Sequence, residues 1–169
     1  MRLIGAGAVM LSCIGIGCLS VIQMQKRIQA LYDMRDAFLF LSGELAGKRL
    51  PLPELLQSCG RHTAGEAQLF FRKLTEKLSQ LGEKPFSELW ELMLEQELPQ
   101  FTVSEKRELL SLGRLLGRAS LSEQISAIES TCRFLTAVLE REEHLYRKDS
   151  RTRLTLPCAA GLLILILLF

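Results

Sequence analysis

Apolar residues recur at intervals of three and four along most of the chain and form nearly unbroken runs at its two ends. In the last third, the recurring positions are Leu121, Ile125, Ile128, Cys132, Leu135 and Leu139. This spacing places the side chains on one stripe of an α-helix, so it predicts an amphipathic helix. From Leu154 the pattern gives way to LTLPCAAGLLILILLF, which carries no charged side chain. The helix is therefore predicted to continue as a transmembrane helix over residues 154–169.

A basic cluster precedes this apolar run and consists of Arg147, Lys148, Arg151 and Arg153. Such a cluster is typical of the cytoplasmic end of a membrane span. At 1.5 Å per residue, residues 154–169 extend about 24 Å, which is less than the roughly 30 Å of a hydrocarbon core. Slight thinning of the bilayer, or an Arg153 side chain that reaches outward, closes this gap. The alternative is a core helix of a soluble domain.

Residues 1–24 are predicted to form a second span. From Leu3 to Met24 the polar residues are Ser12, Ser20 and Gln23, and the run is long enough at about 33 Å to cross a membrane. The alternative is a cleaved signal peptide, because Arg2 precedes the apolar region, but the run exceeds the ~7–15 residues of a normal signal core. Basic residues flank both spans on the inner side, so the positive-inside rule predicts that residues 25–153 lie in the cytoplasm.

The region between the spans is predicted to be helical throughout. The first helix continues directly from the first span through a stripe of Leu31, Met34, Phe38, Leu41 and Leu45. It should end before Pro51, and Pro53 suits the first position of a short second helix. The predicted second helix carries Leu55, Leu56 and Cys59. The third carries Leu69, Leu74, Leu78 and Leu81 and ends at Gly82. The fourth runs from Pro85 to near Pro99 and carries Phe86, Leu89, Trp90 and Met93.

Capping boxes predict where the last two helices begin. Thr102 and Glu105 match a pattern in which each side chain accepts a hydrogen bond from the other residue's backbone N–H, and Ser120 and Glu123 repeat it. The fifth helix carries Leu109, Leu112, Leu115 and Leu116. No alternating run predicts a strand. The predicted fold class is all-α: a six-helix cytoplasmic bundle over residues 25–153, flanked by N- and C-terminal transmembrane helices that are continuous with the first and last helices.

The composition fits one small domain with two apolar ends. Hydrophobic residues make up 48% of the 169 residues, and the mean hydropathy is +0.18. All 19 acidic residues, and all of the 21 basic residues except Arg2, lie between Lys26 and Arg153. With 20 basic and 19 acidic residues, this region is nearly neutral and does not indicate nucleic-acid binding. The 5 cysteines include no CxxC pair. This argues against a disulfide scaffold or zinc site and predicts a reducing compartment for the middle region.

No catalytic, cofactor-binding or metal-binding residues are predicted. Neither His62 nor His144 has a partner in the form His-x-x-His or Glu-x-x-His that is typical of a metal site. Cys132 falls on an apolar stripe, which predicts a buried thiol. The segment GELAGKR, residues 43–49, resembles a phosphate-binding loop, but Arg49 stands where Ser or Thr must hold magnesium. Any energy source would therefore be a partner protein.

Charged runs supply candidates for docking a partner. The acidic run of the fourth helix consists of Glu88, Glu91, Glu95 and Glu97. It is either a solvated face or an edge for a basic partner. The basic candidates of the fifth helix are Arg107, Arg114 and Arg118. Of all these charges, Arg114 and Arg118, together with Glu44, are the predicted docking residues. Gly113 and Gly117 are predicted to allow close helix contact, which would offset the about 1 kcal/mol that each glycine costs inside a helix.

Several segments carry a family resemblance. They are RLIGA near the start, LSGELAGKRLPLPELL, PFSELW, LGRLLGRASLSEQ, and a basic LYRKDSRTR run before the apolar end. In order and spacing along the whole chain, these segments resemble the stage III sporulation protein AB family of endospore-forming bacteria. One departure is that LGRLLGRAS lacks the acidic residue expected near Ser120, which weakens any inference that this loop contacts a basic partner.

The resemblance implies a helical domain similar to the F domain of type II secretion and type IV pilus platform proteins. It further implies a membrane platform in a secretion-like complex that joins mother cell and forespore. The expected partners are a motor-type ATPase in the mother cell cytoplasm, other membrane proteins of the channel, and further copies of the chain. The alternatives are a membrane-anchored enzyme and an exported helical protein anchored by its tail.

Overall fold

The computed structural model describes the backbone of residues 2–48, 50–80 and 85–168, and the side chains of residues 22–48, 50–78 and 85–146. Within these ranges the regular elements are all α-helices. They are α1 (Arg2–Lys48), α2 (Leu52–His62), α3 (Gly65–Gln80), α4 (Phe86–Glu97), α5 (Val103–Leu115) and α6 (Leu121–Leu168). The prediction of an all-α fold with six helices is confirmed for the described residues.

The chain divides into two compact units. One unit is Gln29–Leu139, which lies inside the region 25–153 that the sequence predicts as one domain. The other unit combines residues Met1–Ile28 and Glu140–Phe169. Within it, the Gln25 side-chain amide donates to the Tyr146 hydroxyl at 2.8 Å, and the Arg27 guanidinium pairs with Glu142 at 3.1 Å. These contacts join α1 to α6 in that unit.

The predicted membrane spans lie largely beyond the residues whose side chains are described. Within those residues, no helix is both long enough and apolar enough to cross a membrane. The predicted span over residues 154–169, and residues 1–21 of the other span, lie outside them. Both transmembrane helices therefore stay predictions.

The core of the Gln29–Leu139 unit forms where the predicted stripes meet. Every residue of the α1 stripe is buried, as are the three predicted core residues of α2 and the last four positions of the α6 stripe. Aromatic rings fill the centre: Phe70 meets Phe71 and Trp90 edge-on with ring centroids 5.3 and 5.2 Å apart, and Phe38 meets Phe71 at 6.2 Å. Edge-to-face pairs of this kind stabilise a core beyond the area they bury.

The predicted stripe of α3 is wrong at Leu69, which is 41% exposed. Leu74 is buried as predicted, and Leu81 lies outside the described residues. The other buried positions are Ala67, Phe70 and Phe71. These positions have the spacing of a helical stripe, whereas Leu69 is rotated by about 100° from Phe70. Burying two phenyl rings removes more apolar area from water than burying one leucine, so the aromatic residues fix the rotation of the helix.

Both predicted capping boxes are confirmed. The Thr102 N–H donates to the Glu105 carboxylate at 2.7 Å, and the Ser120 N–H donates to the Glu123 carboxylate at 2.8 Å. In each case the reverse bond, from the backbone N–H of the glutamate to the hydroxyl oxygen, is 3.4 Å long. Helices α5 and α6 thus begin at the positions that their sequences specify.

Helix α3 obtains its cap from another helix. Ala64, which precedes it, has no acceptor in its side chain, and the Glu66 N–H instead donates to the carboxylate of Asp33 on α1 at 3.0 Å. Gly65 between them has φ +59°, a left-handed conformation in which a larger residue would be strained. A Cβ there would also overlap the Asp33 carboxylate. The start of α3 is therefore set by a tertiary contact.

Candidate partner-docking site

Gly113 lies at the contact between α4 and α5. A Cβ on Gly113 would overlap the Trp90 indole, so only glycine leaves room for the ring in this position. The indole N–H in turn donates to the Leu109 carbonyl at 2.7 Å. Trp90 is fully buried, and it therefore fixes the spacing of α4 and α5 through packing and through a hydrogen bond.

Gly117 lies outside α5, although the sequence analysis placed it in that helix. Helix α5 ends at Leu115, and Gly117 has φ +78° in the turn that follows. Glycine adopts this left-handed conformation without steric cost, which suits the residue to the turn that ends the helix. A Cβ on Gly117 would also come too close to the Leu52 side chain of α2. Its N–H donates to the Gln124 side chain at 3.3 Å, which ties the turn to the first part of α6.

A partly open cavity of about 420 Å³ adjoins this turn. It is lined by Leu45, Leu50, Pro51, Leu52, Leu55, Gly117, Leu121 and Gln124. The polar atoms of Gln124 are occupied, because its carbonyl accepts from Gly117 and its amide donates to the Ala119 carbonyl at 2.7 Å. The wall is therefore apolar in character. Sequence reasoning missed the site; the available signal was Leu50 and Leu52, two leucines within a proline-rich connection.

The predicted docking residues differ in how exposed they are. Arg114 on α5 and Arg118 in the following turn are exposed, and neither forms an ion pair with the residues that the structure describes. Glu44 on α1 is mostly covered, with a side chain only 15% exposed, and it accepts from Lys48 at 2.9 Å. The Gly117 and Leu45 positions that line the cavity are the chain neighbours of Arg118 and Glu44. The two arginines are thus available to a partner, while Glu44 is already engaged.

The acidic run of α4 contributes partly to folding. Glu97 pairs with Lys73 of α3 at 2.5 Å, and Glu95 pairs with Lys106 of α5 at 2.7 Å. Glu88 and Glu91 point outward and form no ion pair among the described residues. The run is therefore divided between interhelical contacts and a solvated face.

The histidine and cysteine side chains have structural surroundings. His62 stacks on Phe40 with ring centroids 5.4 Å apart, and its Nδ1 lies 2.9 Å from the Ser58 carbonyl oxygen. Cys59 and Cys132 are buried free thiols, as predicted for Cys132. Burial raises the pKa of Cys59 to about 12 and that of Cys132 to about 11, so both stay protonated and unreactive near neutral pH. In the part of the chain described, no group of side chains is arranged to hold a metal ion.

A family model and a solved structure both relate this chain to the same protein family. A model of the family described as stage III sporulation protein AB matches residues 2–169. A solved structure titled stage III sporulation protein AB is similar with a TM-score of 0.62 and 21% identity, over 72% of this chain and 96% of that one. At this level of identity, the match shows that the two chains share a fold. Curated protein sequences give no match. Because the family model spans nearly the whole sequence, the chain belongs to the stage III sporulation protein AB family.

Proposed function

We propose that this chain is a membrane platform of a secretion-like complex between mother cell and forespore, and that it docks a motor-type ATPase. Family membership supports a role in sporulation. In this proposal residues 1–24 and 154–169 are membrane spans in the outer forespore membrane, and the helical unit lies in the mother cell cytoplasm. The apolar end sequences and the basic residues beside them support this arrangement.

The observation that carries the docking proposal is the exposed pair Arg114 and Arg118 at the end of α5. Guanidinium groups bind carboxylates through two parallel hydrogen bonds, so this end of the unit suits an acidic loop of a partner. The adjoining apolar cavity would receive an aliphatic or aromatic side chain of the same partner. A buried apolar anchor with a charged rim is the usual arrangement of an energetically effective protein interface.

Helices α1 and α6 give this platform a mechanical role. Both contribute residues to the Gln29–Leu139 unit and to the unit that holds the two chain ends. In the proposed mechanism the motor grips the helical unit, and these two helices transmit its movement to the spans. The chain itself then performs no chemistry, and the energy comes from the ATPase.

The test measures binding of the full chain in detergent to the ATPase of the same complex, at low and high salt. The double variant Arg114→Glu, Arg118→Glu should weaken binding by about tenfold or more, because two charges change sign relative to an acidic partner. The control is Arg133→Glu, Arg141→Glu, which makes the same change at exposed positions of α6.

Two results would count against this proposal. An unchanged affinity for the Arg114 and Arg118 variant would remove the docking surface from the end of α5. An absence of binding by the unmodified chain, with its helical circular dichroism intact, would remove the motor ATPase as the direct partner.

A further inference from the structure

An acidic strip runs along the exposed side of α4. We define it as Glu88, Glu91, Leu92 and Glu95, whose spacing places them on one side of the helix. Leu92 is 47% exposed, a large apolar side chain in the middle of the strip. The side chain of Glu95 remains 62% exposed even though one of its oxygens accepts from Lys106. The strip therefore combines unneutralised negative charge with an apolar contact point.

A basic strip runs along the exposed side of α5. We define it as Val103, Arg107, Ser111 and Arg114, which again lie on one side of a helix. Val103 is 75% exposed. Neither Arg107 nor Arg114 forms an ion pair with any residue that the structure describes. This strip has the opposite charge to the acidic strip and a similar apolar contact point.

The two strips belong to neighbouring antiparallel helices. Glu95 near the end of α4 pairs with Lys106 near the start of α5, and Trp90 earlier in α4 meets Gly113 later in α5. The outer charges of the two strips also have equal separations. Glu88 and Glu95 are seven residues apart, as are Arg107 and Arg114, and each interval corresponds to about 10.5 Å along a helix.

We infer that the α4–α5 face binds a second copy of this chain in a two-fold dimer. In this arrangement the acidic strip of each copy lies on the basic strip of the other, and Leu92 and Val103 are covered by the contact. A different protein with one sign of charge would satisfy only one strip. A second copy satisfies both strips at once, because a two-fold axis uses the same patch on both subunits.

The equal charge spacing supports this orientation. When the helices lie side by side, each of two carboxylates meets one of two guanidinium groups, because the two pairs have the same spacing. This match is lost when one helix slides by a turn. Opposite charges across an interface mainly set the register and exclude wrong partners. The contact is expected to be weak and sensitive to salt, because exposed ion pairs are screened.

The experiment measures energy transfer between two populations of the full chain in detergent, labelled with donor and acceptor dyes, in the absence of any ATPase. The unmodified chain should associate, and association should weaken as salt rises. Glu88→Lys, Glu91→Lys and, separately, Arg107→Glu, Arg114→Glu should each lower the association constant by about tenfold or more. Glu95 is left unchanged in these variants because it also holds Lys106.

The decisive arm mixes the two reversed variants. One then carries positive charge on both strips apart from the retained Glu95, and the other carries negative charge on both strips. The mixed pair should therefore regain association to within about threefold of the unmodified chain. Matched controls make the same charge changes on α6, with Glu129→Lys, Glu140→Lys and with Arg133→Glu, Arg141→Glu. These controls should associate like the unmodified chain. If a charge-reversed chain fails to fold, the milder Glu88→Gln, Glu91→Gln variant replaces it in the association measurement.

Three outcomes would overturn the inference. They are no association of the unmodified chain at about 100 μM, equal association of the reversed and unmodified chains, and no recovery in the mixed pair. The Arg107 and Arg114 variant changes one residue that is also proposed to dock the motor, so motor binding is compared in the Glu88 and Glu91 variant, which changes none of them. Loss of self-association with motor binding retained therefore separates this inference from the proposed function.

Discussion

Replacing Gly113 with alanine tests whether the contact between α4 and α5 depends on the absence of a side chain. The added Cβ would overlap the Trp90 indole. Trp90 has little freedom to move away, because Phe70 and Phe86 lie against it with ring centroids 5.2 and 5.6 Å distant. Its N–H is also bonded to the Leu109 carbonyl. We therefore expect α4 and α5 to separate slightly or the indole to lose its hydrogen bond.

The expected change in the free energy of unfolding combines two destabilising contributions and one stabilising contribution. Overfilling a packed core costs about 1–3 kcal/mol, and a buried indole N–H left without its acceptor costs about 1–3 kcal/mol more. Alanine in place of glycine inside a helix returns about 1 kcal/mol. The net expectation is a free energy of unfolding lower by about 2–3 kcal/mol if ring displacement and bond weakening both occur in part.

The assay is urea unfolding of the full chain in detergent, followed by fluorescence of Trp90, the 1 tryptophan of the sequence. The matched control is Gly43→Ala on α1, where an added Cβ meets no atom within 4 Å. That variant should gain about 0.5–1 kcal/mol, since only helix propensity changes. The packing argument is refuted if Gly113→Ala is as stable as the unmodified chain or gains stability as the control does.

The remaining predictions concern a cap, two thiols and one carboxylate. Asp33→Ala should lower the free energy of unfolding by about 1 kcal/mol in a urea titration, because the N–H group at the first turn of α3 loses its acceptor. The Cys59 and Cys132 thiols should resist alkylation in the native chain and react after unfolding, as mapped by mass spectrometry of labelled peptides. Since their pKa values are raised to about 12 and about 11, the stability they contribute is complete below pH 9.0 and is lost as the pH rises towards those values. The hydroxyl and N–H of Ser120 lower the pKa of Glu123, so Glu123→Gln should remove stability at neutral pH and reduce the loss seen as the pH falls below 4.5, measured by thermal melts.

Each of these predictions has a contrary result. Asp36→Ala is the control for the cap, since Asp36 is an exposed carboxylate that pairs with the neighbouring Arg35, and equal losses from both variants would exclude a specific cap. Rapid labelling of Cys59 in the native chain would show that the core around this thiol opens. If the melting temperature falls equally at low pH with and without the Glu123 carboxylate, the second capping box does not contribute to the pH dependence of stability.

Local sequence signals predicted the helices well, because each signal involves residues that are only a few positions apart. The capping boxes at Thr102 and Ser120 fix two helix starts through bonds that span three positions. The α1 stripe is correct in full because its apolar residues outnumber any competing set on that helix. In α3, by contrast, Leu69 and the neighbouring Phe70 and Phe71 compete for the core, and helical spacing alone did not decide between them.

Tertiary contacts account for what the sequence did not predict. The absence of a capping residue before α3 was visible, but the acceptor comes from Asp33 on another helix, 33 positions away. Gly117 follows a helical spacing from Gly113, yet the two glycines serve different needs. One makes room for an indole, and the other adopts a left-handed turn. Their spacing of four residues is therefore not the reason that both are glycine.

The candidate surfaces depend on which charges folding leaves unpaired. From the sequence alone, the four glutamates of α4 form one acidic run, and Glu44 is a predicted docking residue. The structure uses Glu97, and one oxygen of the still exposed Glu95, to hold α4 against α3 and α5, and it pairs Glu44 with Lys48. Arg114 and Glu88 become docking candidates because they form no ion pair among the described residues, whereas several neighbouring charged residues do. Intrachain pairing decides which charges remain for a partner, and this pairing becomes visible once the helices are packed.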